Sequence, residues 1–287
     1  MSEPAAAIQT TIDYLVPTSK INRRFWAPGK EFNTGEYAPY PVTIRNARLA
    51  GSITLDSHGF MIAQHETAVT DWEANYGPDS AYAEEVCAAV RSLTGADFVM
   101  PMGGMIRSSG LTGPTVQPPA AEAHVDFTTR SANRLAKMLY DKARPGGAGY
   151  DRFIAFSLWR ALSPPPQDMP LALCEGGSVR DGEGTANTKV DVDEIPTGDA
   201  LFAEIPGEED MAAATIFHHS PDHKWWYYPD MAADEVIFIK FHDSDHTRAW
   251  RAPHTAFRDT TRPDAVERRS MEYRGVAYFT RDGGGSA

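Results

Sequence analysis

His124-Val125-Asp126 places an imidazole and a carboxylate two positions apart on Ala123–Phe127, a segment that reads as a short strand. Strand side chains alternate, so both groups point to one face. A third ligand from a distant strand would give two imidazoles and one carboxylate on one side of a metal. That donor set suits Fe(II) and leaves positions open for a cosubstrate and oxygen. His254, within Ala252-Pro253-His254-Thr255-Ala256-Phe257, ranks first for the role, His223 second and His242 third. His242-Asp243-Ser244-Asp245-His246 is richer in donors but has the composition of a solvated turn. His218, His219 and His223 suit a pocket wall or an interface, while His58 and His65 flank an apolar strand as structural histidines.

Arg268 and Ser270 are separated by one residue at the start of an alternating segment, Met271–Phe279. On one strand face, a guanidinium and a hydroxyl can clamp a carboxylate through charge-assisted hydrogen bonds. The far carboxylate of 2-oxoglutarate needs such a partner while its keto acid end chelates iron. Arg160 is the reserve for this role, because a charge directly after the apolar run Phe153–Trp159 must meet a carboxylate or sit at the strand's mouth. In Trp225-Trp226-Tyr227-Tyr228, alternate members are expected in the core and others in a substrate pocket, with Trp225 and Tyr227 assigned to the pocket beside Phe127.

The elements that position these residues are mostly short and extended. Expected strands are Val42–Arg45, Ser52–Leu55, Phe60–Ala63, Phe98–Met102, Arg152–Trp159, Leu201–Ile205, Thr215–His218, Val236–Phe241 and Ser270–Phe279. One helix is expected from about Ser80 to Leu93, with Tyr82, Val86, Val90 and Leu93 on one face and Gly95 beyond its end. A second is expected to start at Ser131 as N-cap and to carry Leu135, Met138 and Leu139. Many strands and few helices favour a sandwich or jelly roll. Ala27–Pro41 and Gly176–Gly198 read as loops, the second as a lid near the site. Residues 1–282 form one expected domain, and 283–287 a flexible tail.

The chain has 287 residues and a formal charge of −12, from 27 Lys and Arg against 39 Asp and Glu. An acidic balance argues against nucleic acid and anionic membrane surfaces. Cys87 and Cys174 are too few for a disulfide framework or a thiolate zinc site, and are expected as buried thiols. Without a secretory signal or a membrane-length apolar run, a soluble cytoplasmic protein is expected, acting on a small molecule, with a homodimer compatible.

Together with His124-Val125-Asp126, several blocks carry a family resemblance. They include Thr54-Leu55-Asp56-Ser57-His58-Gly59-Phe60, Gln167-Asp168-Met169-Pro170-Leu171-Ala172-Leu173-Cys174, His223-Lys224-Trp225-Trp226-Tyr227-Tyr228-Pro229-Asp230-Met231, Pro253-His254-Thr255-Ala256-Phe257 and Arg268-Arg269-Ser270-Met271-Glu272-Tyr273-Arg274. On these the chain resembles the hydroxylase/desaturase family of fungal and bacterial natural-product clusters, which includes gibberellin-desaturase-like proteins and the cephamycin methoxylation component. The resemblance implies a double-stranded β-helix (a cupin-like jelly roll with a few flanking helices) and Fe(II)/2-oxoglutarate chemistry with O2. It implies His124, Asp126 and His254 as ligands and Arg268 with Ser270 as the clamp. Two departures, Phe127 in place of a polar residue such as Gln and Ala161 in place of proline after Trp159-Arg160, point to a reshaped pocket.

The expected chemistry is oxidation of an unactivated C–H bond of a small secondary metabolite or amino-acid-derived intermediate, by hydroxylation, desaturation or ring closure. Two rival classes use the same residues differently. A zinc hydrolase would need a general base near the metal, and no His-Glu-x-x-His helix supplies one. A non-catalytic β-sandwich binding module would make the His-x-Asp pair incidental.

Overall fold

Alternation along Ala7–Leu15 buries Ile8, Ile12 and Tyr14, and this strand starts the larger of two facing sheets. The computed structural model describes residues 3–111, 113 and 115–280, so the expected tail at 283–287 lies outside the described residues. Across the ten-stranded sheet the order is Ala7–Leu15, Tyr37–Asn46, Trp225–Tyr227, Leu171–Cys174, His254–Ala256, His124–Val125, Ala213–Ile216, Thr185–Asp191, Arg23–Ala27 and Lys30–Asn33. The six-stranded sheet runs Phe60–Gln64, Glu235–Asp243, Tyr150–Ala161, Arg269–Thr280, Phe98–Ser108 and Val116–Gln117. Most neighbours are distant in sequence, as expected of a jelly roll.

The main core lies between the sheets. Leu173 from the larger sheet shares a cluster with Phe153, Trp159, Ile239 and Tyr278 from the smaller, and Val125, Trp225 and Tyr227, which the register turns to the other face of the larger sheet, are buried in the same cluster. Residues of opposite parity, among them Ile154, Phe156, Leu158 and Tyr273, pack on the outer face of the smaller sheet with Tyr82, Val86 and Val90 of the helix Ala81–Thr94. The smaller sheet is therefore covered on both faces, and Glu235–Asp243 is buried along its whole length. That double cover explains the unbroken apolar run read at 236–241.

The helix Ala81–Thr94 begins and ends where its sequence signals place it. The Ser80 side chain accepts from the Ala83 amide, and Gly95 adopts the left-handed conformation at φ 73°. The second helix, Thr129–Ala143, starts earlier than expected. Thr128 is its N-cap and Ser131 is the reciprocal partner in a capping box. Its buried face is Ala132, Ala136 and Tyr140, whereas Met138 is 58% exposed and Leu135 and Leu139 are only partly buried. Small residues were the contact face because the helix lies close against the sheets.

Other expectations are corrected. Leu201–Ile205 is not a strand; Gly198–Phe202 is a 3-10 helix. Ser52–Leu55 is irregular and runs into a turn in which Thr54 bonds Ser57. Ala27–Pro41 is not one loop, since Lys30–Asn33 closes a hairpin with Arg23–Ala27 and Tyr37–Asn46 begins within it. Gly176–Gly198 contains the strand Thr185–Asp191, paired with neighbours on both sides. Its flank is tied down by Arg251, which donates to the carbonyls of Arg180 and Glu183, and by Trp250, which donates to Asp181. Polar composition there reflects an exposed sheet face. Cys174 is buried as expected, but Cys87 is only half-buried, and both are free thiols.

Candidate metal centre

His124 and His254 pair directly across adjacent antiparallel strands, and Asp126 follows His124 on the same face while Val125 points into the core. Asp126 Oδ1 stands 3.5 Å from His124 Nε2 and 3.8 Å from His254 Nε2. One donor atom from each residue lies within 4.8 Å of the other two, the only such trio among the described residues. His124 Nδ1 sits 2.8 Å from the Glu122 carbonyl and His254 Nδ1 3.1 Å from the Ala252 carbonyl. A carbonyl can only accept, so each Nδ1 carries the proton and each Nε2 presents a lone pair to the shared space. Such a set of lone pairs and one carboxylate oxygen fits a divalent cation.

Electrostatics agree with that division at His254. Burial and the neighbouring His124 push His254 down to about 4, so its ring is neutral. For His124, burial acts downward, but the Asp126 carboxylate more than offsets it and raises the net value. Burial acts upward on Asp126, yet Arg274 and the two histidines together hold its carboxyl well below the ordinary range. Phe241 stacks on His254 at 5.2 Å, fixing the ring plane.

A narrow cavity opens from the two histidines toward Arg268, Trp159, Ser157 and Thr255. Arg268 is 1% exposed; its terminal nitrogen donates to the Met169 carbonyl at 2.7 Å, while Nε has no partner. Ser270 is fully buried and its hydroxyl is also unpartnered. Burial and nearby Arg107 push the Arg268 guanidinium down to about 9, against the opposing effect of Asp168 and Glu272. A buried cation and a buried hydroxyl, each with an unmade hydrogen bond, fit an anionic ligand such as a carboxylate. A second, larger cleft meets the first at Arg107 and Ala120, and is bounded by the Arg23–Asn33 hairpin and the 115–122 segment.

Several expected residues lie elsewhere. Trp225 and Tyr227 do not line either cavity. The Trp225 indole donates to Tyr14, and Tyr227 packs edge-on against Phe257, so both are core. Phe127 packs against Phe241 at 6.0 Å; Phe241 lines the cavity and Phe127 does not. Arg160 faces the outer side of its sheet, donating to Tyr82, His65 and the Ala233 carbonyl, so it meets neither a carboxylate nor the cavity. His223 bonds Tyr14 and Glu183, and His242 is packed among Phe153, His246 and Trp250. Sequence reading missed Arg107, Glu272 and Arg274. Strand alternation through Ser270, Glu272 and Arg274 could have found the last two; nothing local marks Arg107.

The family model described as "Oxidoreductase/YMDC permease-like domain" matches residues 12–278. The hydroxylase/desaturase CTB9 of Cercospora beticola is 30% identical over 77% of this chain and 71% of its own length. The hydroxylase/desaturase efuI of Hormonema carpetanum is 28% identical over 85% of each chain. The Fe(II)/2-oxoglutarate-dependent dioxygenase nvfI of Aspergillus novofumigatus is 28% identical over 88% of each. A solved structure titled as the iron and alpha-ketoglutarate-dependent endoperoxidase NvfI superposes with a TM-score of 0.77 at 24% identity, covering 96% of this chain and 99% of that one, which matches the fold.

Proposed function

Because the chain belongs to the family of Fe(II)/2-oxoglutarate-dependent hydroxylases and desaturases, an oxidoreductase family with a jelly-roll fold, we propose that His124, Asp126 and His254 hold its iron and that Arg268 with Ser270 holds its 2-oxoglutarate. The enzyme uses Fe(II), 2-oxoglutarate and O2 and acts on a small molecule. Bound iron supplies oxygen activation coupled to oxidative decarboxylation of 2-oxoglutarate. The protein's part is to fix three ligands, orient the cosubstrate and keep water from the reacting carbon.

One observation carries the residue assignment: two Nε2 lone pairs and one carboxylate oxygen converge beside a buried guanidinium and hydroxyl with unmade hydrogen bonds. Arg268 lies on the cavity wall with the histidines, so a dicarboxylate can bridge metal and Arg268. The substrate reaches this point through the cleft that joins the cavity at Arg107 and Ala120. Its wall mixes Trp26, Val116 and Pro119 with Asn33, Tyr37 and Gln117 and with the charged Arg24, Lys30, Glu31 and Glu122, which suits a metabolite that carries polar groups on an apolar frame. Hydroxylation, desaturation or ring closure at an unactivated C–H position is the expected outcome.

Anaerobic loading with Fe(II) followed by 2-oxoglutarate tests the reading. A weak visible charge-transfer band should grow in the wild type, be lost in His254→Ala and require far more cosubstrate in Arg268→Ala. Retention of the band at wild-type cosubstrate concentrations in both variants would reject these assignments. A zinc hydrolase on the same ligands would show no such band.

A further inference from the structure

Asp126 uses its two oxygens differently. Oδ1 faces the histidines, while Oδ2 meets the Arg274 guanidinium at 2.7 Å, as an ion pair rather than an aligned hydrogen bond. Arg274 is held in turn: its Nε and terminal nitrogen both reach Glu272 Oε1 at 2.6 Å, and Arg107 Nε donates to Glu272 Oε2 at 3.0 Å. The Asp126 and Glu272 side chains are each 8% exposed, so neither charge is left to water. The guanidinium also lies 5.9 Å above the Phe241 ring, whose other neighbour is His254. Arg274 thus braces one ligand directly and another through a stacked ring.

Resting on the metal assignment above, we propose that Arg274, anchored by Glu272 and Arg107, is a positioning residue that keeps Asp126 a one-oxygen ligand. The reason is a count of positions. An octahedral centre with two imidazoles and one carboxylate oxygen has three positions left, two for a chelating keto acid and one for oxygen. A carboxylate binding through both oxygens would leave two, and cosubstrate and oxygen could not be accommodated together. A free Asp126 Oδ2, buried beside a cation, would turn toward it. Arg274 gives that oxygen an ion-pair partner while its planar fork is held by Glu272, a double engagement that a lysine's ammonium does not reproduce.

The test uses Co(II) as a spectroscopic probe with the full chain, measuring the Co(II) Kd, the 2-oxoglutarate Kd of the Co(II) protein and the Tm without metal. Arg274→Gln should still bind Co(II), because the freed oxygen adds a donor, but the Co(II) protein should bind 2-oxoglutarate about 10–100-fold more weakly, the range typical of lost partners to metal ligands. Arg274→Lys should lie between it and the wild type. A folded Arg274→Gln protein whose Co(II) form has wild-type 2-oxoglutarate affinity overturns the proposal, even if its Tm falls, because that pattern is a structural role alone. Should Arg274→Gln not fold, Arg274→Lys decides: weakened 2-oxoglutarate binding supports the proposal and wild-type binding rejects it. Wild-type protein that fails to bind Co(II), or Asp126→Asn that binds it normally, would instead overturn the metal centre itself.

Discussion

His124 and His254 face each other across adjacent antiparallel strands with ring centroids 4.5 Å apart, each ring fixed by a hydrogen bond to the carbonyl two residues before it. Two imidazoles therefore present lone pairs to one point before any cation arrives. Preorganisation of this kind lowers the ordering cost of binding.

His124→Ala, Asp126→Ala and His254→Ala should each abolish iron retention and turnover while far-UV circular dichroism stays unchanged. Three ligands act as one unit, so the losses should not add. His223→Ala and His242→Ala should keep wild-type iron content, since both rings are engaged in packing away from the trio. Metal analysis after anaerobic loading settles this, and iron loss in either control with retention in His254→Ala would reverse the assignment.

Arg268→Ala should raise the 2-oxoglutarate requirement sharply. A missing partner of a buried charged hydrogen bond costs roughly 2–5 kcal/mol, or about 30-fold to a few thousand-fold in affinity. Ser270→Ala removes a neutral hydroxyl and should cost about 1 kcal/mol, near fivefold. Titration of the visible band measures both. Equal losses in the two variants would contradict a charge-based clamp.

Stability should fall between pH 6.5 and 4 for a reason unrelated to catalysis. His242 is 1% exposed with both ring nitrogens unpartnered, and burial followed by His246 lowers it from 6.5 to about 4. The unfolded chain takes up this proton first, so stability present above pH 6.5 is lost as pH falls through that window, by roughly 3 kcal/mol at most. His242→Phe keeps the ring among Phe153 and Trp250 without the proton. Its Tm should exceed that of the wild type increasingly toward pH 4, and parallel Tm curves would refute the account.

Asp243→Asn should be among the more damaging single changes. Asp243 is fully buried, accepts from Arg152 at 2.6 and 2.8 Å, and binds the fully buried Lys240 ammonium at 2.7 Å. Neutralising it strands a buried cation, which typically costs about 3–5 kcal/mol. Urea unfolding of the metal-free protein measures this; a loss under about 1 kcal/mol, the level of exposed ion pairs, would mean that Lys240 finds other partners.

The local signals in the sequence determined what local physics controls. A period-two His-x-Asp put two donors on one face, Ser80 and Gly95 bounded a helix, and Arg268 with Ser270 shared a strand face. An extended context marks His254 as a ligand candidate, but its distance to Asp126 depends on which strands become neighbours, and the order is set by the whole jelly roll. Trp225 and Tyr227 show the converse. Their aromatic density is legible, yet only the strand register, which sets Leu173 opposite both Trp226 and His254, decides that Trp225 and Tyr227 face away from the cavity. Arg160 was ambiguous for the same reason, since its sheet is covered on both faces and local sequence does not say which face holds the metal. The brace of Arg107, Glu272 and Arg274 on Asp126 joins three separate stretches of chain, and charges so placed interact through space, not along sequence.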